Sequence, residues 1–369
     1  MEGILSDQSS LDCYDICDCG NLLYSANTQC VACGAVVGYD ALAQVVTSFS
    51  TDVSSGHWLA TNPKLAGRAF RPCSQRVSAC NCNWMLDESI VGESCISCQL
   101  TLTIPQLDVQ DNARLWGKTE IAKRRVLAQL LRLRLPFSRM DLVAIPLGFK
   151  FMASLPGEFV LTGHEAGVIT LNISEADDSE REAMRERMGE KYRSLAGHIR
   201  HELGHYYWDL LSQDQAWIEG FRTHFGDERI DYSSALQNHH QAGAPTSWPL
   251  NHISAYASCH PWEDWAETFG YFLHLEEGLS LARHFGLESN DLHLAVSRFS
   301  TASLPASAEQ YNNVEFLADV NRWVRLSLFI NELAEGLGHA HPSPFILNVA
   351  TVAKLWYVQR SLDKLRAGR

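Results

Sequence analysis

Long apolar runs are missing from this sequence. No stretch approaches the roughly 18 uninterrupted apolar residues that a membrane-spanning helix needs. The first residues, Met1 to Ser10, also lack the basic start and apolar core of a secretory signal. These two absences lead us to expect a cytosolic protein with no membrane partner. Basic charge is short as well: 30 Lys and Arg face 43 Asp and Glu, a net charge of -13. An acidic chain is repelled by nucleic acid, which is therefore disfavoured as a partner. The local cluster Lys123-Arg124-Arg125 reads as a solvated helix face, with an acidic ligand as the alternative. Low-complexity segments are absent. So is any internal repeat apart from two cysteine clusters. What is present is ordinary globular composition, 46% hydrophobic and 20% charged over 369 residues, enough for two or three domains and one sizeable core.

Cysteine is almost confined to one end: ten of the 11 lie in the first 98 residues. The tight pairs Cys30-x-x-Cys33 and Cys95-x-x-Cys98 have the spacing of zinc knuckles rather than of a disulfide scaffold. In a reducing compartment thiolates bind metal rather than one another. The segment from Cys17 to Tyr39 holds two cysteine pairs, each followed by Gly, which lets backbone N–H groups turn back onto the thiolates. Four thiolates make a closed tetrahedral site that folds a segment too short for its own core. We assign Cys17, Cys19, Cys30 and Cys33, with Cys13 as an alternative to Cys17 or Cys19. For a second site we favour Cys73, Cys82, Cys95 and Cys98, leaving Cys80 spare. The bland alternative is a set of free thiols.

Residues 46–70, rich in Ser, Thr and Gly, read as a connector. Residues 113–135 have helical periodicity that ends before Pro136. Leu142 to Met152 and Phe159 to Ile173 are apolar, and Thr162 to Gly167 reads as a turn, so the expected order is strand, strand, turn, strand. Beyond Asp177-Asp178 the chain reads as largely helical.

His201-Glu202-Leu203-Gly204-His205 matches H-E-x-x-H. Met184, Met188, Tyr192, Leu195, Ile199, Leu203 and Leu210 recur at helical spacing around it. Residues four apart share a helix face, so both imidazoles can meet one ion while Glu202 projects beside them as a base for a water. A catalytic zinc needs a third protein ligand and one open position. Candidates are Glu263 and Glu267, on one face of a helix that Pro261 suits as a first-turn residue. One would bind zinc and the other hold a ligand imidazole in the right tautomer. The bland alternative is acidic residues near a helix N-terminus, where the dipole favours them. Tyr256, seven residues before Glu263, is either an oxyanion donor or a half-buried core tyrosine. Cys259 is either an ordinary buried thiol or a thiolate that closes the open position. His198, His224, His239, His240, His252 and His274 each read as structural.

Taken together, the run GHIRHELGHYYW at 197–208 and the run SAYASCHPWEDWAETF at 254–269 resemble a bacterial family of zinc-binding metallopeptidases with an N-terminal zinc ribbon. The resemblance spans nearly the whole chain. It includes Cys82-Asn83-Trp84, Cys95-x-x-Cys98-x-Leu100, Asp231-Tyr232, and His341-Pro342-Ser343-Pro344-Phe345 leading to Lys354-Leu355. The later half also resembles the gluzincins, in particular their lethal-factor-like branch. That resemblance implies Glu263 as third ligand, Glu267 as the residue behind a ligand imidazole, and Tyr256 as oxyanion donor. It further implies an extended peptide along an edge strand, here Val168 to Ile173. Cys17-x-Cys19 and the extra Cys80 depart from the family pattern and bear on the ribbon ligands alone.

The expected fold is α+β: zinc-ribbon segments over residues 1–103, then a mainly helical gluzincin-like domain with a small β-sheet over 104–369. The expected cofactor is Zn2+, about one catalytic ion with one or two structural ones. The expected activity is hydrolysis of a peptide or protein substrate by a zinc-activated water with Glu202 as general base. Two alternatives are an interaction protein that recruits a partner through the ribbon, and a zinc hydrolase of non-peptide amides.

Overall fold

A computed structural model describes residues 15–52, 54–109, 111–138, 141, 143–155, 157–188, 194–287, 292, 298–311 and 313–367. The chain forms two compact units. The first comprises residues up to 134 together with 148–162 and 170–177; the second comprises 135–147, 163–169 and 178 onward.

The first unit begins with a two-stranded antiparallel hairpin, β1 (Asp15–Ile16) and β2 (Leu22–Leu23). A closed barrel follows, in the order β3 (Val36–Asp40), β4 (Val45–Thr51), β5 (Trp58–Ala60), β6 (Ala69–Pro72) and β7 (Trp84–Asp87). Parallel pairing of β3 with β7 closes it. Phe49, Leu65, Phe70 and Met85 fill it, with Trp58 and Ala60 against them. Residues 46–70 are therefore barrel wall and not a connector. Their strands escape a periodicity reading because Thr47 and Ser48 are buried as polar residues. Ser48 Oγ lies 2.7 Å from Thr61 Oγ1, a cross-strand hydrogen bond that satisfies both.

A short helix α1 (Ile96–Gln99) and strand β8 (Thr101–Thr103) lead to the long helix α2 (Asn112–Arg132). Lys123 and Arg124 on α2 do not form a solvated face: both are buried. Lys123 Nζ donates to Ser97 O and Glu120 Oε1, each at 2.9 Å. Arg124 donates to Cys80 O at 3.1 Å and lies 3.3 Å from Cys80 Sγ. Buried cations persist only with such partners; Glu120 is one turn away on α2, while Ser97 and Cys80 come from residues distant in sequence.

A four-stranded sheet has the order β10 (Gly163–Glu165), β11 (Val168–Asn172), β9 (Gly148–Met152), β8. Of the turn expected over Thr162 to Gly167, only Ala166 and Gly167 form one, both at positive φ, while Gly163–Glu165 is strand β10. The edge strand is not where it was expected. β11 has a neighbour on each side, and the sheet ends on β10 at one side and β8 at the other. Strand order depends on pairing, and the apolar pattern of one strand does not encode it.

The second unit is helical: α3 (Asp178–Met188), α4 (Leu195–Leu211), α5 (Gln215–Phe225), α6 (Tyr232–Ala242), α7 (Pro261–His284), α8 (Val314–Gly336) and α9 (Val349–Ala367). The apolar spacing from Met184 to Leu210 is shared between α3 and α4, and Tyr192 lies outside the described residues. Ser194 starts α4 by accepting a hydrogen bond from Gly197 N at 3.0 Å. Its core is an aromatic stack in which Trp217, Phe221 and Phe225 of α5 meet Trp265 of α7 and Tyr357 of α9. Lys354 of α9 donates to Asn251 O at 2.6 Å and pairs with the buried Asp264 of α7. Among the described residues, no helix is long and apolar enough to cross a membrane.

Candidate functional site

α4 and α7 pack at very short range, and the approach is tightest at Gly204. An added Cβ at Gly204 would sit 2.7 Å from Ala266 Cα, closer than real Cβ contacts allow. Trp265 Nε1 donates to Gly204 O at 2.8 Å and locks the crossing. α7 starts at the N-cap His260, whose Nδ1 accepts from Trp262 N at 3.0 Å, with Pro261 as first helical residue. Glu263 thereby falls in the first turn, directly opposite the imidazoles of α4.

The structure brings His201, His205 and Glu263 together, all candidate ligand atoms within 4.8 Å of one another. Glu263 Oε2 lies 3.0 Å from His201 Nε2 and 3.4 Å from His205 Nε2. Oε2 is buried and makes no hydrogen bond among the described residues. Ligands about 2.1 Å from a tetrahedral ion stand about 3.4 Å apart, so the spacing fits zinc. His201 Nδ1 donates to Glu267 Oε1 at 2.8 Å, which directs Nε2 and its lone pair inward. Ser254 Oγ holds the other Glu267 oxygen at 2.6 Å. The His205 ring lies against Trp262, centroids 3.8 Å apart.

Electrostatics favour positive charge at this point, which His201 carries as a proton when no metal takes its place. Burial opposes charge on Glu263, yet the two imidazoles outweigh it and hold the carboxyl well below its ordinary range. Burial likewise opposes charge on His201, and Glu263 and Glu267 outweigh it to raise the imidazole. Glu202 is buried beside them, its Oε1 3.5 Å from His198 Nε2 and its Oε2 without a hydrogen-bond partner among the described residues. Burial raises the Glu202 carboxyl, but the His198 contact and the imidazoles prevail and lower it. Tyr256 lies in a single 3-10 turn, its ring centroid 6.1 Å from that of His201. Burial first and the Glu263 charge second push its phenol up, so it stands as a proton donor. Burial and the two carboxylates also push the Cys259 thiol up, away from the thiolate form.

The cysteines gather in two sets. Cys17 and Cys33 sulfurs are 3.6 Å apart, Cys19 and Cys30 are 3.7 Å apart, and Cys82 and Cys95 are 3.7 Å apart. Four sulfurs about 2.3 Å from one ion stand about 3.8 Å apart, which these distances match. Cys17, Cys19, Cys30 and Cys33 form one group, and Cys73, Cys82, Cys95 and Cys98 another. Gly20 and Gly34, behind the first two pairs, take φ of +85° and +78°. The N–H of Cys33 and, after the cost of burial, that of Ala32 lower the Cys30 thiol to about 6. Cys80 groups instead with Cys98 and Glu120, and faces Arg124. Cys13 lies outside the described residues.

Sequence reasoning assigned no role to Tyr232, whose OH donates to Glu263 Oε1 at 2.7 Å. Its one signal was the Asp231-Tyr232 pair. Three histidines read as structural sit near the site: His198 at Glu202, His239 with its ring 5.8 Å from that of Tyr256, and His252 at Asp264, 3.2 Å away. His224 and His274 lie in the aromatic core, and burial pushes His274 down to about 3.

Comparison with known proteins identifies the family. The family described as "Putative zinc-binding metallo-peptidase" matches residues 112–361, and a zinc-ribbon domain matches residues 13–109. Uncharacterized proteins of Mycobacterium tuberculosis and Mycobacterium bovis are 34% identical over 352 residues, covering 94% of this chain and 94% of each relative. No solved structure matches the chain.

Proposed function

The chain belongs to this zinc-binding metallo-peptidase family, and on that premise we propose that it hydrolyses peptide bonds with a zinc ion held by His201, His205 and Glu263. One observation carries the reading. A buried carboxylate oxygen with no hydrogen bond of its own meets two imidazole nitrogens, and a second buried carboxylate, Glu202, stands beside them.

When bound, zinc supplies Lewis acidity, which lowers the pKa of a water and polarises a carbonyl. Glu202 accepts a proton as the water oxygen bonds to the carbonyl carbon, and returns it to the amine nitrogen as the C–N bond breaks. Tyr256, protonated, donates a hydrogen bond to the oxygen that gains charge. Glu267, fixed by Ser254, keeps the His201 ring in one tautomer. A gluzincin-like arrangement would lay an extended peptide along a sheet edge, and β10 offers that edge.

In this reading residues 1–103 are the ribbon region, with Cys17, Cys19, Cys30 and Cys33 around one structural zinc and Cys73, Cys82, Cys95 and Cys98 around another. Residues 104–369 are the peptidase domain. Thiols grouped as ligand sets support residence in the reducing cytosol. The ribbon is the surface we assign to a protein partner.

The test is zinc content per chain, in wild type and in a variant combining His201→Ala with Glu263→Ala. We expect about two to three zinc ions in wild type and one fewer in the variant. Equal zinc in both would confine metal to the cysteines and leave the chain an interaction protein. Turnover across mixed peptides and small amides then tests the substrate class.

A further inference from the structure

We propose that Tyr232 is a positioning residue that couples helix α6 to the metal site. The inference rests on the zinc reading of His201, His205 and Glu263. No residue of α6 is buried, so its own packing holds it weakly. Yet its first residue reaches the interior, where Tyr232 OH donates to Oε1 of a Glu263 that is only 2% exposed. The Tyr232 ring is fixed edge-on between His260 and Trp262, with centroids 5.3 and 5.6 Å away. His260 is anchored in turn, its Nε2 3.1 Å from Ile230 O just before α6.

Two consequences follow from the direction of that hydrogen bond. With Oε1 engaged by the phenol, Glu263 presents only Oε2 to the imidazoles, so it acts through one oxygen and leaves room for water and substrate. Two turns further along the same face of α6, the His239 ring meets the Tyr256 ring edge-on at 5.8 Å. The helix thus bears on the metal ligand at one point and on the proposed oxyanion donor at another. A metal that fixes Glu263 also fixes the start of α6. By linkage, an ordered α6 must raise the affinity for the metal.

Two measurements on the full-length protein test this. The first is zinc affinity of the catalytic half by competition with a chromophoric chelator, in wild type, Tyr232→Phe and Asp231→Ala. Asp231 caps α6 by accepting from Ser234 N at 2.7 Å, so its loss frays the helix but leaves the phenol. We expect Tyr232→Phe to bind zinc about 10- to 100-fold more weakly and Asp231→Ala to show a smaller loss in the same direction, since it frays the helix but keeps the phenol on Glu263. Wild-type affinity in Tyr232→Phe, or an equal loss in Asp231→Ala, overturns the proposal. The second is amide hydrogen exchange over residues 232–242, in wild type against His201→Ala, both incubated with the same excess of zinc. Faster exchange in His201→Ala is expected, and identical exchange overturns the coupling even if Tyr232→Phe cannot be folded. If His201→Ala loses no zinc at all, the zinc reading itself fails. If it loses zinc while Tyr232→Phe does not, only this inference fails.

Discussion

The cysteine centres and the histidine centre are put together in opposite ways. Cys17 and Cys33 stand 16 positions apart, and the hairpin whose turn carries Cys17 and Cys19 has strands of two residues each. His201 and Glu263 stand 62 positions apart, on helices of 17 and 24 residues packed in an aromatic core. In the first case there is little apolar surface to bury, so in the proposed reading four thiolates and a metal do what a core does elsewhere. In the second an aromatic core holds the helices, and in the proposed reading a metal would meet ligands already in place. A closed set of four sulfurs leaves no position for substrate; two nitrogens and one oxygen leave one. The lesson is that metal loss should undo structure at one end of the chain and chemistry at the other.

The largest test of that contrast is Cys82→Ser. Cys82 is fully buried, and its sulfur lies 3.7 Å from that of Cys95. Removing one of four thiolates forfeits most of a folding contribution on the order of 10 kcal/mol. We expect loss of one zinc and rapid proteolysis of residues 36–98, with the helical unit intact. A protease-resistant barrel without its zinc would show that the thiols are not structural. Glu202→Gln comes next. It keeps the shape of the side chain and removes the base, so turnover should fall by about 100- to 10,000-fold while zinc content is unchanged. A fully active variant would remove Glu202 from the proposed chemistry.

How much of this was legible in the sequence depends on distance along the chain. His201 and His205 sit on one helical turn, where spacing dictates a shared face, and the cysteine pairs sit on turns of a few residues. Glu263 was legible as one of two carboxylates on a helix that Pro261 announces, though only the fold puts it opposite His201. Tyr232 was not legible, because a loop brings it to Glu263 and no periodicity reports on loops. The barrel was hidden because Thr47 and Ser48 are each satisfied by a hydrogen bond to Thr61 where a strand pattern would show apolar residues. Lys123 and Arg124 were misread for a related reason: a run of charge looks solvated until its partners, Glu120, Ser97 and Cys80, are known. Strand order put β10 at the edge, and nothing in the apolar run from Val168 specified that.

A smaller effect sharpens the contrast most, because it acts on geometry alone. Gly204 contributes no ligand and no charge; it is only the place where α4 touches α7. In Gly204→Ala the new methyl would start 2.7 Å from Ala266 Cα and 3.1 Å from Ala266 O, both atoms of a helix backbone that cannot rotate away. The helices must separate, at a cost of about 1–3 kcal/mol. Glu263 lies one turn from Ala266 and moves with it, so its oxygen withdraws from imidazoles that stay on α4. We expect a lower thermal midpoint for the helical unit, weaker zinc binding there, and no change at the cysteine centres, measured by chelator competition and calorimetry. Adding Ala266→Gly should restore only part of the loss, since the nearest atoms are main chain and remain. Unchanged zinc affinity in Gly204→Ala would mean that the ligands can be brought together without this crossing, and that the core does not preset the site.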